Sequence, residues 1–290
     1  MYTRRDALKL TLAAGAVMLT PMRFASAAAG KQPLSWKYFP TSDEGFFRAP
    51  VLLKGSSEAI LIDGGFRLSD GKAIAEEIKA TGLKLTTVYV SVNDPDYYFS
   101  LPSIKAAFPD ARIIAAPDTV AAIKSKVEGK IKAWGPQLGN DGPQSVDQVV
   151  MPTPSDETTL KLDGETVEIV TIDDMEDRRY HWVPSLEAVF GGVLVYGGLH
   201  PWIADVPTPK DRAAWIRALE SIIARAPKIV VPGHMKPDWP TDISGVKFTR
   251  DYLVAYHDDA QSYAIRVDEN AQPLGTVRAL HSGRVPVGLA

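Results

Sequence analysis

The 290-residue chain contains no cysteine, which excludes disulfide cross-links and thiolate-based metal sites. Histidine is scarce too, with only His181, His200, His234, His257 and His281. No apolar run approaches the roughly 20 residues needed to cross a membrane; the candidate between Leu10 and Leu19 is cut short by Pro21 and Arg23. Positive charge is not in excess: 32 Lys and Arg face 35 Asp and Glu, a formal charge of −3. Without a basic stripe, nucleic acid is excluded as a partner. Also missing are a Gly-x-Ser-x-Gly elbow, a phosphate-binding glycine loop and a His-Glu-x-x-His helix. Ser91 and Ser185 have no evident base beside them, so serine hydrolysis has no support.

What is present begins with a segment that looks like an address. Thr3-Arg4-Arg5-Asp6-Ala7-Leu8-Lys9 resembles a twin-arginine export motif, a modestly apolar stretch follows, and Ala25-Ser26-Ala27 offers a small-x-small cleavage site. Residues 1–27 are therefore expected to be a signal peptide, with the mature protein starting near Ala28 in the periplasm or outside the cell. Their removal takes away four basic residues and one acidic one, leaving 28 against 34 and a formal charge of −6. The remaining chain, within a protein that is 45% hydrophobic and 23% charged, has ample material for a core.

Beyond residue 35 the pattern is of strands first, then strands alternating with helices. Val51–Leu53 and Ala59–Ile62 read as buried strands ended by turns at Gly55-Ser56-Ser57 and Asp63-Gly64-Gly65. A helix is predicted from about Asp70, as N-cap, to Ala80, with Gly82 at its stop. Strands follow at Val88–Val90 and Ile113–Ala115. A helix from Asp118 to Trp134 carries Val120, Ile123, Val127 and Ile131 on one face. Residues 135–144 and 151–157 read as loops. Thr159–Leu162 and Val167–Val170 form a hairpin across Asp163-Gly164, and Tyr180–Val183 and Ala188–Phe190 are further strands. Thr208-Pro209 opens a second helix with Ile216, Leu219 and Ile223 as its apolar face. Lys228–Val231 is a short strand running into Pro232-Gly233-His234, and a last helix is expected from Phe248 to about Ile265.

The segment Ser91-Val92-Asn93-Asp94-Pro95-Asp96-Tyr97-Tyr98-Phe99, between a strand and a short helix, resembles the zinc-binding motif of the metallo-β-lactamase superfamily. In that frame Ser91 opens the motif and Asp96 fills the aspartate slot, while Val92, Asp94 and Tyr97 stand in the three histidine slots. Leu61-Ile62-Asp63-Gly64-Gly65, Val189-Phe190-Gly191-Gly192-Val193 and Val231-Pro232-Gly233-His234 are similar to three further family loops. Trp182-Val183-Pro184-Ser185 and Gly198-Leu199-His200-Pro201-Trp202 resemble a bacterial subset. The resemblance covers roughly residues 35–240. It implies an α/β (α+β) fold, an αββα sandwich of two mixed β-sheets flanked by helices. The implied organisation is a domain over 35–245 followed by a C-terminal helix and loose tail over 246–290.

The family's chemistry is hydrolysis at two divalent metals held by about five imidazoles and two carboxylates. Here only Asp96 and His234 remain in ligand slots, with Val92, Val193 and Ile172 in others, and none of those three carries a lone pair. Two readings follow. In one, the chain is a pseudoenzyme without zinc or any other cofactor, whose old pocket or surface binds a small molecule or a protein partner. In the other, Asp94, Asp96 and His234 form an open three-ligand face for one divalent Mn, Fe or Zn ion, and the chain is a hydrolase. Asp96 and His200 are then the candidate catalytic groups, with His200 as a lone general base or else packed against Trp202. Asp173-Asp174-Met175-Glu176-Asp177 is either a hard-cation site or a solvated turn balanced by Arg178 and Arg179.

Overall fold

The structure is a computed structural model that describes residues 33–175 and 177–256. The signal expected over 1–27, the tail beyond 256, His257 and His281 lie outside the described residues.

Six strands make the first sheet: β1 (Ser35–Tyr38), β2 (Val51–Lys54), β3 (Glu58–Ile62), β4 (Lys84–Val90), β5 (Arg112–Ala115) and β6 (Thr153–Pro154), lying side by side in that order. The β1–β2 and β2–β3 pairs are antiparallel, and those from β3 to β6 are parallel. Each parallel step needs a crossover, which α1 (Leu68–Thr81), α2 (Leu101–Ala107) and α3 (Pro117–Leu138) supply. The second sheet contains β7 (Thr159–Leu162), β8 (Glu165–Thr171), β9 (Arg179–Val183) and β10 (Ala188–Phe190). It ends on β12 (Ile229–Val230), which follows α4 (Pro209–Ala224). A two-stranded piece, β11 (Tyr196–Gly197) with β13 (His234–Met235), and a helix over 244–256 complete the described residues. Two mixed sheets with helices outside them are the sandwich that the resemblance implied.

The strands explain why two cores form. Side chains alternate across a strand, so Val51, Leu53, Ile60, Ile62 and Tyr89 point to one face of the first sheet. There they meet Leu160, Leu162, Val167, Ile169, Val183 and Phe190 of the second. The other set, Leu52, Ala59, Leu61, Val88 and Val90, packs against helix residues such as Ile74, Ile78, Val120, Ile123 and Val127. Strands buried on both sides must read as continuous apolar runs, as Val51-Leu52-Leu53 and Ile60-Leu61-Ile62 do. Each such Leu or Ile contributes roughly 1.5–3 kcal/mol by leaving water.

Several local expectations need correction. The first helix starts earlier, at Leu68, with Arg67 as N-cap; Asp70 sits one turn in and accepts a hydrogen bond from the Arg67 backbone at 2.9 Å. The third continues through Pro136 to Leu138, because the Gln144 side chain donates to the carbonyls of Gly135 (3.0 Å) and Gly139 (2.6 Å) and so closes its end. Residues 153–154, read as loop, pair with β5. In α4 the buried face is Ala214, Trp215, Ala218, Leu219 and Ile222, so Ile216 and Ile223 lie at its edge. Thr208 caps that helix as expected, accepting from the Asp211 backbone at 3.2 Å. The hairpin turn Asp163-Gly164 has both φ positive, 47° and 82°, the geometry that matches strand twist.

Candidate functional site

Four loops meet at one edge of the sandwich, and Asp63 ties three of them. It ends β3 with a left-handed φ of 63°, a conformation that aspartate tolerates better than most residues. Its buried carboxylate accepts from the Ser91 backbone (2.8 Å), from the Ser91 hydroxyl (2.6 and 2.7 Å) and from the Gly192 backbone (3.1 Å). The third loop fits because Gly191 and Gly192 both have positive φ, 74° and 72°; a Cβ on Gly192 would lie 2.1 Å from the Arg179 carbonyl oxygen. The motif's first residue, Ser91, is therefore a fold-holding group.

The centre of the site is Arg48, on the approach to β2 and only 1% exposed. Its guanidinium lies 3.4 Å over the Tyr97 ring, a cation–π contact in a desolvated place. Nη1 donates to the Gly233 carbonyl at 2.5 Å and Nε to the Asp96 carbonyl at 3.3 Å. Two carboxylates flank it, Asp96 Oδ2 at 3.5 Å from Nε and Asp63 Oδ2 at 3.6 Å from Nη2. A permanent positive charge thus sits among the side chains of two buried aspartates, a tyrosine and a histidine loop. The backbone ahead of it is strained: Phe46 and Phe47 have φ of 58° and 53°, at order 1–3 kcal/mol each. That conformation brings the Phe46 carbonyl to 2.8 Å from His234 Nδ1.

The hydrogen bonds set the protonation states. His234 Nδ1 donates to Phe46, so Nε2 carries the lone pair, which faces the Tyr97 hydroxyl at 3.3 Å and Asp96 Oδ2 at 3.5 Å. The ring stacks on Tyr196, centroids 5.1 Å apart and planes 5° from parallel. Burial first, and the charge of Arg48 second, pull the His234 pKa down to about 3. Asp96 moves the opposite way, to about 7; burial raises it, Arg48 opposes, and Asp94 adds repulsion. The Tyr97 hydroxyl, 3.2 Å from the Gly192 carbonyl, is pushed up by burial.

Asp96 and His234, placed together by sequence, do meet. Asp94 turns elsewhere: it lies 3.5 Å from Lys130 and lines a cavity of about 330 Å³ that neither Asp96 nor His234 lines. Its pKa is raised by burial and then by Asp205. His200 is exposed, with Nδ1 3.3 Å from the Tyr252 hydroxyl, and it does not line that cavity. Arg178 and Arg179 do not balance the acidic turn as expected. Both are buried; Arg178 reaches Asp205 at 3.7 Å and Arg179 reaches Asp118 at 2.7 Å. Asp174 is met instead by Arg217 at 2.8 Å. Arg48 was missed altogether. Its one signal is that it is the only charged residue in the run Gly45-Phe46-Phe47-Arg48-Ala49-Pro50-Val51-Leu52-Leu53.

Neither a protein-family model nor a curated protein matches the chain. Solved structures do. The chain superimposes on VMB-1 with a TM-score of 0.56 at 19% identity, covering 78% of this chain and 94% of that one. For the DIM-1 metallo-β-lactamase the values are 0.55, 17%, 78% and 95%, and for a metallo-β-lactamase from Pontibacter korlensis 0.54, 17%, 77% and 95%. This chain has the metallo-β-lactamase fold. The pair of metal ions which that resemblance implies does not suit the residues present. Val92, Ile172 and Val193 are buried hydrocarbon in the core cluster. Among the described residues no three His, Asp or Glu side chains come together in a way that could hold an ion. Arg48 places a fixed cation 3.5 Å from Asp96, the carboxylate that faces His234.

Proposed function

We propose that this chain is an exported pseudoenzyme of the metallo-β-lactamase fold, one that binds a small molecule or protein partner and hydrolyses nothing through zinc. The observation that carries the reading is Arg48. In this fold the cluster of acids at the sheet edge needs positive charge to be buried at tolerable cost. Here a guanidinium supplies it from within the chain, fixed by two carbonyl acceptors and the face of Tyr97. Export rests on the signal-like segment before Ala28. No helix among the described residues is long and apolar enough to cross a membrane.

A rival reading, a hydrolase with one divalent ion held by Asp94, Asp96 and His234, draws on the 3.5 Å approach of Asp96 to His234. Metal analysis of the mature protein purified without chelator separates the two. It is paired with a panel of ester, thioester, lactone and β-lactam substrates assayed with and without Zn²⁺ and Mn²⁺. The pseudoenzyme reading expects no stoichiometric metal and no metal-dependent turnover. Bound metal together with turnover lost in His234→Ala overturns it.

A further inference from the structure

The 330 Å³ cavity beside the motif loop is the second feature built by this chain. Its volume is at the small end of ligand sites, and its wall is charged, with Val92, Met175 and Val206 as its apolar parts. Among the described residues five aspartates line it, but two are engaged by neighbours. Asp174 pairs with Arg217 at 2.8 Å, and Asp211 closes the capping box of Thr208. The remaining three, Asp94, Asp177 and Asp205, match three cations, Lys126, Lys130 and Arg178. Every link among them is loose. Asp94 to Lys130 is 3.5 Å and Asp205 to Arg178 is 3.7 Å. Asp177 connects to Lys126 only through the Asn93 amide, at 3.2 and 3.1 Å.

Arg178 points to an occupant. It is 5% exposed; among the described residues its buried Nη1 has no hydrogen-bond partner and its Nη2 lies 3.7 Å from Asp205, an arrangement that costs more than a neutral donor left unmade. We propose that this cavity is a binding site for a small zwitterion. The ligand's carboxylate pairs with Arg178 and Lys130, and its ammonium sits among Asp94, Asp177 and Asp205. A ligand with an anionic group alone would meet the three aspartates, and one with a cationic group alone would meet the three bases. Only a molecule with both signs relieves both.

This inference rests on the pseudoenzyme reading and names its ligand class. Its test uses the mature full chain and isothermal titration with glutamate, lysine and glycylglycine as probes, against propionate and propylamine as half-ligands. At least one zwitterion is expected to bind at least about tenfold more tightly than either half-ligand. Lys130→Met, whose side chain is one-third exposed and so tolerates change, is expected to weaken that binding by about tenfold. Arg178→Gln is expected to weaken it further, and circular dichroism shows whether that variant is folded. No zwitterion binding at millimolar concentration, propionate binding as tightly, or affinity unchanged in Lys130→Met overturns the proposal. The metal assay is independent: a metal-free protein that ignores zwitterions sinks this site while leaving the pseudoenzyme reading standing.

Discussion

Replacing Arg48 by Met keeps most of the side chain's length and removes its charge and its donors. The native guanidinium faces Asp96 at 3.5 Å and Asp63 at 3.6 Å, and it holds the Gly233 and Asp96 carbonyls. One charge pair at that distance amounts to roughly 4–5 kcal/mol at an effective dielectric of 20. Desolvation of the native pair offsets much of this, so the cost measured for breaking buried pairs, about 3–5 kcal/mol, is the better guide. The pH dependence is more specific. The Asp96 carboxyl is raised to about 7 in the folded chain, above its unfolded value. Native stability therefore falls as pH rises from the unfolded pKa towards 7 and levels once Asp96 ionises beside Arg48. Without Arg48 the carboxyl stays protonated to higher pH, and the decline continues. The penalty of Arg48→Met should thus be larger at about pH 8.5 than at about pH 6. Urea unfolding at both pH values measures it, with the buried Trp215 among the tryptophans that report. Arg48→Lys should restore the pH dependence but only part of the stability, because a single ammonium cannot hold both carbonyls and the Tyr97 face. A cost below about 1 kcal/mol, the range of surface pairs, or one equal at both pH values, would refute the reasoning.

Other perturbations test neighbouring parts of the same edge. Asp63→Asn keeps a residue that tolerates φ of 63° but turns an acceptor into a donor facing Ser91 and Gly192; a loss of about 3 kcal/mol is expected in urea unfolding. Tyr97→Phe should cost about 1 kcal/mol, the net worth of one neutral hydrogen bond, since the ring under Arg48 remains. His181 is fully enclosed, edge-on to Tyr89, and burial pulls its pKa down to about 4. The unfolded chain therefore takes up its proton first, and this group's contribution is lost as pH falls from about 6.5 towards 4. His181→Leu should reduce the stability difference between pH 7 and pH 5 by about 2 kcal/mol; an unchanged difference would remove His181 from the account of acid sensitivity.

Which parts of this were legible beforehand follows from how local the causes are. The runs Val51–Leu53 and Ile60–Ile62 announce strands buried on both faces, and Asp163-Gly164 announces a tight hairpin, because each cause lies within a few residues. Helix ends were less legible: Gln144 closes α3 from outside it, and Arg67 rather than Asp70 starts α1. The pairing of Asp96 with His234 came from matching loops 138 positions apart to a known frame, which locates side chains without saying what stands between them. What stands there is Arg48, and its meaning depends on a requirement of charge. Val92, Ile172 and Val193 are hydrocarbon that cannot hold a cation, so the buried Asp63 and Asp96 need a positive partner from elsewhere. A lone arginine in an apolar run that leads into a central strand is where such a partner has to be sought. Arg178, beside an acidic turn, looked like its counter-charge and is instead buried, with a donor unmet among the described residues. In both cases the informative arginine is one that the fold buries, and that property belongs to the fold and not to the spacing of residues.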